Sequence, residues 1–108
     1  MKLIIAITQD ESASRLVGEL VKNGLGATKL ATTGGFLKSG NTTLLIGVEE
    51  ERFQEAMTIL ENVCKSRKKV APVMPGPSMN GTGTVYPMEV LVGGATVFVL
   101  EVEQFQKL

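Results

Sequence analysis

The 108-residue sequence contains no histidine, no tryptophan and a single cysteine, Cys64. Without histidine the chain has no imidazole general base, no Ser-His-Asp triad, no histidine-containing zinc site and no imidazole pH switch. One cysteine forbids an intrachain disulfide, which fits a reducing compartment better than a secreted mini-domain. An excess of either charge is lacking too, because 11 basic residues meet 11 acidic ones. That balance argues against a surface for a nucleic acid polymer and leaves room for a small anionic ligand. Long hydrophobic runs are also missing. Leu3 to Ile7 is too short for the core of a signal peptide, and no later stretch approaches a membrane span. The expectation is a cytoplasmic protein with no membrane insertion.

What remains is sufficient for one domain over residues 1–108. With 44% hydrophobic residues, a chain of this length can bury roughly two-thirds of the surface that its unfolded form exposes. Lys2 to Thr8 is β-branched and apolar on both parities, the pattern of a strand covered on both faces. Ala13, Leu16, Val17, Leu20 and Val21 then recur at helical spacing, with Asp10 as the expected N-cap and Asn23-Gly24 as the stop. Strands are expected at Ala27–Thr33 and Thr42–Val48, with the glycine-rich stretch 34–41 looping between them. A second helix is expected from about Glu50 to Arg67, with glutamates at its start and Lys65, Arg67, Lys68 and Lys69 at its end, as the helix dipole favours. All four prolines fall in Ala71–Pro87, which reads as one long loop. Met88–Val92 and Thr96–Val102 read as strands joined by Gly93-Gly94.

This order is βαββαβ with an extra strand before the last, an α+β, ferredoxin-like sandwich. Two helices cover only one face of such a sheet. Yet Leu3, Ile5 and Ile7 alternate with Ile4 and Ala6, and Phe98 and Leu100 alternate with Val97 and Val99. Both faces are apolar, so another copy of the chain is expected on the second one.

The chemistry-bearing residues concentrate at the glycine-rich loop. Gly35 to Thr42 has the glycine spacing of a phosphate-binding loop, but Asn41 stands where the lysine belongs and a strand follows, so an NTPase of that type is not expected. The loop still offers open backbone N–H groups beside Phe36 and Asn41, groups suited to a purine and a phosphate. By spacing alone, Phe36 either stacks on a base or plugs a hydrophobic gap, and Asn41 either reads a ligand or caps its own turn. Gly93-Gly94 is either a tight turn or a place of close ligand approach. Cys64 reads as a small buried hydrophobe. No nucleophile stands near a base and no carboxylates converge, so a catalytic role is not expected.

The run Thr28-Lys29-Leu30-Ala31-Thr32-Thr33-Gly34-Gly35-Phe36-Leu37, followed by Gly40-Asn41-Thr42-Thr43 and Ile46-Gly47-Val48, resembles the PII-like cyclic di-AMP receptors of Firmicutes. Lys2 to Ile7, Cys64-Lys65-Ser66-Arg67 and Val92 to Leu100 extend the resemblance over nearly the whole chain. The resemblance implies a ferredoxin-like subunit in a homotrimer, with cyclic di-AMP in each cleft between neighbours and no further cofactor or metal. It makes the loop at about 34–41 a T-loop and that at about 71–87 a B-loop, ordered by the ligand and read by an unidentified downstream protein. Carried over by position, Thr28 and Asn41 would hydrogen-bond the ligand, and Phe36 and Leu37 would pack on adenine. The Gly35 and Gly47 backbones would approach it closely, Ala27 would line the pocket, and Gly93 and Gly94 would shape the partner's side of the cleft. One departure stands out: Gly24-Leu25-Gly26 replaces the Asn-Phe-Arg of many relatives. The missing charge-assisted contact is worth about 1.5 to 3 kcal/mol, so a weaker affinity is expected unless another side chain substitutes. The alternatives are a PII-like sensor of ATP or another adenine nucleotide and a trimeric adaptor without nucleotide. A hydrolase of cyclic dinucleotides is disfavoured because no general base is visible.

Overall fold

Alternation at period two builds the first strand, β1 (Lys2–Gln9), whose Ile4, Ala6 and Thr8 are buried while Leu3, Ile5 and Ile7 are half-buried. The computed structural model describes the backbone of residues 1–30, 40–73 and 86–108, with side chains for all of these except 67–73 and 86–92. Helix α1 (Asp10–Lys22) follows β1 directly. Its cap position falls on Gln9, not on Asp10 as expected, and no side chain caps it. Asp10 is instead the first helical residue, where its N–H donates to Gly40 O at 2.8 Å and its carboxylate accepts from the Thr42 hydroxyl. A cross-link to the neighbouring strand has taken the aspartate away from capping.

The expected stop at Asn23-Gly24 is observed. Gly24 takes φ +74°, its N–H donates to Val21 O, and the Leu25 N–H donates to Leu20 O. This left-handed glycine closure satisfies the carbonyls that a helix end leaves orphaned. Strand β2 is described at Thr28–Lys29, with Leu30 N–H donating to Thr43 O at 2.9 Å. The rest of the expected strand, residues 31–33, lies outside the described residues. Strand β3 spans Asn41–Val48, so Asn41 is a strand residue paired with Gln9 rather than a loop residue.

The largest departures follow β3. A short 3-10 turn at Glu50–Arg52 precedes helix α2 (Phe53–Cys64), which stops three residues before the expected Arg67. Arg67, Lys68 and Lys69 are not a basic helix end. They lie in strand β4 (Arg67–Val73), which pairs antiparallel with β5 (Tyr86–Val92). The expected loop at 71–87 is correspondingly shortened, because Ala71–Val73 and Tyr86–Pro87 belong to this ribbon. Prolines suggested a loop, but in a two-stranded ribbon both strands are edges, where proline is tolerated, and Pro72 and Pro87 face each other in register. Two strands, not one, therefore precede the last, β6 (Ala95–Glu101). The turn between β5 and β6 is Gly93-Gly94, at φ +84° and +85°.

The main sheet has the order β2-β3-β1-β6 with every described pair antiparallel, and with its two helices it is compatible with a ferredoxin-like fold. One face packs on α1 and α2: Ile4, Ala6, Leu44 and Ile46 join Leu16, Leu20, Ala56 and Leu60 in a continuous core. On the other face, Phe98 and Leu100 are 54% and 47% exposed. No helix among the described residues is long and apolar enough to cross a membrane.

Candidate functional site

The register assigns the residues of the uncovered face to rows. Thr28 stands opposite Leu45, Leu45 opposite Ile5, and Ile5 opposite Phe98, so these four form one row across the sheet. Gly47, Leu3 and Leu100 form a second row, and Thr43, Ile7 and Thr96 a third. Asn41 has the same parity as Thr43, Leu45 and Gly47, opposite Gln9. Three of the residues carried over from the resemblance, Thr28, Asn41 and Gly47, thus share the face turned away from the helices.

They do not meet at one point within a single chain. Asn41 and Gly47 are six residues apart on β3, a separation of about 20 Å at the rise of an extended strand. Gly47 leaves its surroundings open, because a Cβ there would meet nothing within 4 Å. Ala27 is half-buried against the core cluster, so its methyl belongs to the helix side of the sheet. Gly35, Phe36 and Leu37 lie outside the described residues.

At the Asn41 end, Ile7, Thr8, Gln9, Asn41, Gly93, Gly94, Ala95 and Thr96 line a shallow groove of about 270 Å3. Asn41 therefore lines the same groove as Gly93 and Gly94, which precede β6 beside β1. Gln9 builds this corner. Its side-chain Oε1 accepts from the Gly93 N–H at 2.9 Å. The Gly94 N–H donates to Cys64 O, pinning the turn to the last residue of α2. A Cβ on Gly93 would stand 2.7 Å from Lys65 O, so only glycine fits there. The turn reading of Gly93-Gly94 is thus satisfied in full, and the same turn forms a wall of the groove.

Sequence reasoning did not single out Gln9 or Phe98 as site residues. Gln9 carried a signal, as a polar residue ending an apolar strand, but its partner at position 93 is 84 residues away in the chain. Phe98 was legible only as part of an apolar face. In the structure it is an exposed aromatic in the same row as Thr28.

Electrostatics around the sheet are structural in character. Lys2 bonds Glu101 across the β1–β6 pair and stands 5.5 Å from the Phe53 ring centre. Hydrogen bonding to Lys2 holds the Glu101 carboxyl below its ordinary range. Burial pushes the Cys64 thiol up, which disfavours the thiolate that nucleophilic or metal chemistry needs. Among the described residues no group of three or more histidine, cysteine or acidic side chains is placed to hold a metal ion.

Comparison with known proteins gives the chain a fold relative and a family. The chain is similar to the crystal structure of a functionally unknown protein from Pediococcus pentosaceus ATCC 25745, at 45% sequence identity and a TM-score of 0.76, over 99% of this chain and 96% of that one. A model of the cyclic-di-AMP receptor family matches residues 1–108. With the whole length matched, the chain belongs to the cyclic-di-AMP receptor family.

Proposed function

We propose that the chain is a non-catalytic, cytoplasmic signal-transduction receptor that binds cyclic di-AMP in the clefts between subunits of a homotrimer. The observation that carries this reading is the uncovered sheet face, where Leu3, Ile5, Leu45, Phe98 and Leu100 sit beside Thr28, Asn41 and Gly47. Leaving Phe98, Leu100 and their half-buried neighbours in water is unfavourable by about 25 cal/mol for each Å2 of apolar surface, and self-association removes that cost. A copy seated on this face would bring one chain's Asn41 end towards a neighbour's surface, gathering groups that a single chain keeps about 20 Å apart.

The chemistry of the gathered groups suits the ligand. An adenine ring has flat apolar faces and an edge with both donors and acceptors. The Asn41 amide supplies both kinds of partner, and the Thr28 hydroxyl does the same in smaller form. Phe36 and Leu37 would pack on adenine, with Phe98 offering a second aromatic surface. Stacking of this kind is worth about 1 to 3 kcal/mol per base. Backbone N–H groups at Gly35 and the bare backbone at Gly47 allow anionic oxygens to approach without a Cβ in the way. Ala27, with its methyl turned to the core, would contribute through its backbone, and Gly93 and Gly94 through the wall of the groove. Binding would order the T-loop, about 34–41, and the segment between β4 and β5, changing a surface read by a protein partner.

Titration calorimetry with cyclic di-AMP, cyclic di-GMP and ATP tests the reading. Saturable heat with cyclic di-AMP alone, at one ligand per chain, is the expected result. Preferential binding of ATP would assign the chain to the adenine-mononucleotide sensors. No heat and no thermal shift with millimolar cyclic di-AMP would reject nucleotide binding in favour of an adaptor.

A further inference from the structure

The chain between α1 and β2 is short and poor in side chains. Gly24 and Gly26 flank Leu25, and a Cβ on Gly26 would meet nothing within 4 Å. Only Gly26 and Ala27 separate Leu25 from Thr28, which stands at the edge of the uncovered face. Two anchors hold this segment from the α1 side. Leu25 is buried, and its N–H closes the helix end on Leu20 O at 2.8 Å. The second anchor is Arg52, from the 3-10 turn ahead of α2. Its Nη2 donates to Asn23 O at 2.6 Å and its Nη1 reaches Gly24 O at 3.5 Å. Glu55 holds the guanidinium in place, accepting from Nε and from Nη2 at 3.0 Å each.

Arg52 is therefore more than a surface ion pair. The planar fork presents donors along two edges at once, one edge to the carboxylate and the other to the carbonyls. It also sets a cation at the carbonyl end of α1, where the helix dipole favours positive charge. The carbonyls it takes, at 23 and 24, follow those already satisfied by the glycine closure. Glycine backbone, as at 24 and 26, is intrinsically freer than that of any other residue type, so an external clamp favours a single path of the segment into β2.

We infer that Arg52 is a positioning residue for ligand binding: by gripping the carbonyls of Asn23 and Gly24 from the start of α2, it fixes where Thr28 stands on the uncovered face. This rests on the reading of Thr28 as a cyclic di-AMP contact. Arg52 touches no ligand and acts only through the segment it holds. A lysine in its place supplies one compact ammonium, which cannot serve Glu55 and both carbonyls in the same geometry.

The test is a double-mutant cycle in cyclic di-AMP affinity, with amide hydrogen exchange read on the unliganded proteins. Arg52→Ala is expected to weaken affinity about fivefold or more, with Arg52→Lys between it and the native protein. In a Thr28→Ala background, Arg52→Ala is expected to add little further loss, because the residue it positions is already gone. Exchange at residues 24–29 is expected to quicken in Arg52→Ala while β1 and β3 keep their protection. Unchanged affinity, or a loss that adds in full to that of Thr28→Ala, would overturn the inference. If the native protein itself binds no cyclic di-AMP, the ligand reading is what fails. Exchange still decides the clamp, with quickening at 24–29 supporting it and unchanged exchange overturning it.

Discussion

The two faces of the main sheet both carry apolar residues but are covered unequally along β1 and β3, while the edge strand β6 is exposed on both, with Val99 on the helix side 43% exposed. Ile4, Ala6, Leu44 and Ile46 point to α1 and α2 and are fully buried, whereas Phe98 and Leu100 on the opposite face remain about half exposed. Alternation with polar residues would have marked the second face for water, as it does in most one-sided antiparallel sheets. Along β1 and β6 that mark is missing at Leu3, Ile5, Ile7, Phe98 and Leu100, while β3 sets Asn41, Thr43 and Gly47 beside Leu45, so the second face carries an apolar patch bordered by polar residues. Fold stability resides on the first face, and the proposed recognition on the second.

That division can be attacked by substitution, beginning where the expected loss is greatest. Leu20→Ala empties a fully buried position in the helix-covered core and should cost about 2 to 5 kcal/mol in urea unfolding. A loss below 1 kcal/mol would mean that the core is not where stability lies. Gly93→Ala forces a side chain onto φ +84° and towards Lys65 O, for an expected loss of about 1 to 3 kcal/mol. Asn41→Ala should weaken cyclic di-AMP binding about tenfold, near 1.4 kcal/mol, with the melting temperature little changed. If both fell together, Asn41 would belong to the fold rather than the site. The smallest effect concerns pH. Arg52 and Lys2 hold the carboxyls of Glu55 and Glu101 below the ordinary value of 4.5. The folded state therefore binds fewer protons than the unfolded one in that range. Their contribution is present above pH 4.5 and fades as pH falls through the lowered folded values. Both pairs are exposed, so acid titration of Glu55→Gln and Glu101→Gln should differ only slightly from that of the native chain.

The elements with strong periodicity were legible, and those decided by distant partners were not. Lys2–Gln9 and Asp10–Lys22 follow from hydrophobic spacing, and Gly24 ends α1 because the closure requires a left-handed residue. The end of α2 did not follow. Apolar and basic residues continue past Cys64, and only pairing of Arg67–Val73 with Tyr86–Val92 draws them into a strand. Prolines at 72 and 87 disguised the same ribbon as a loop. In the candidate site, the shared face of Thr28, Asn41 and Gly47 follows once the register is known. Neither the grip of Gln9 on Gly93 nor that of Arg52 on Asn23 and Gly24 could be read from spacing, since each joins residues far apart in the chain. Gly26, read only as a lost contact, and Gly24, read also as the helix stop, mark the segment on which Arg52 acts.

The central claim is that further copies of the chain cover the second sheet face and so create the cleft for the ligand. Native mass spectrometry of the protein at micromolar concentration with cyclic di-AMP tests it in one spectrum. The account predicts an assembly of three chains carrying three cyclic di-AMP molecules. A monomer that binds the ligand unaided, or a monomer that binds none, would contradict it.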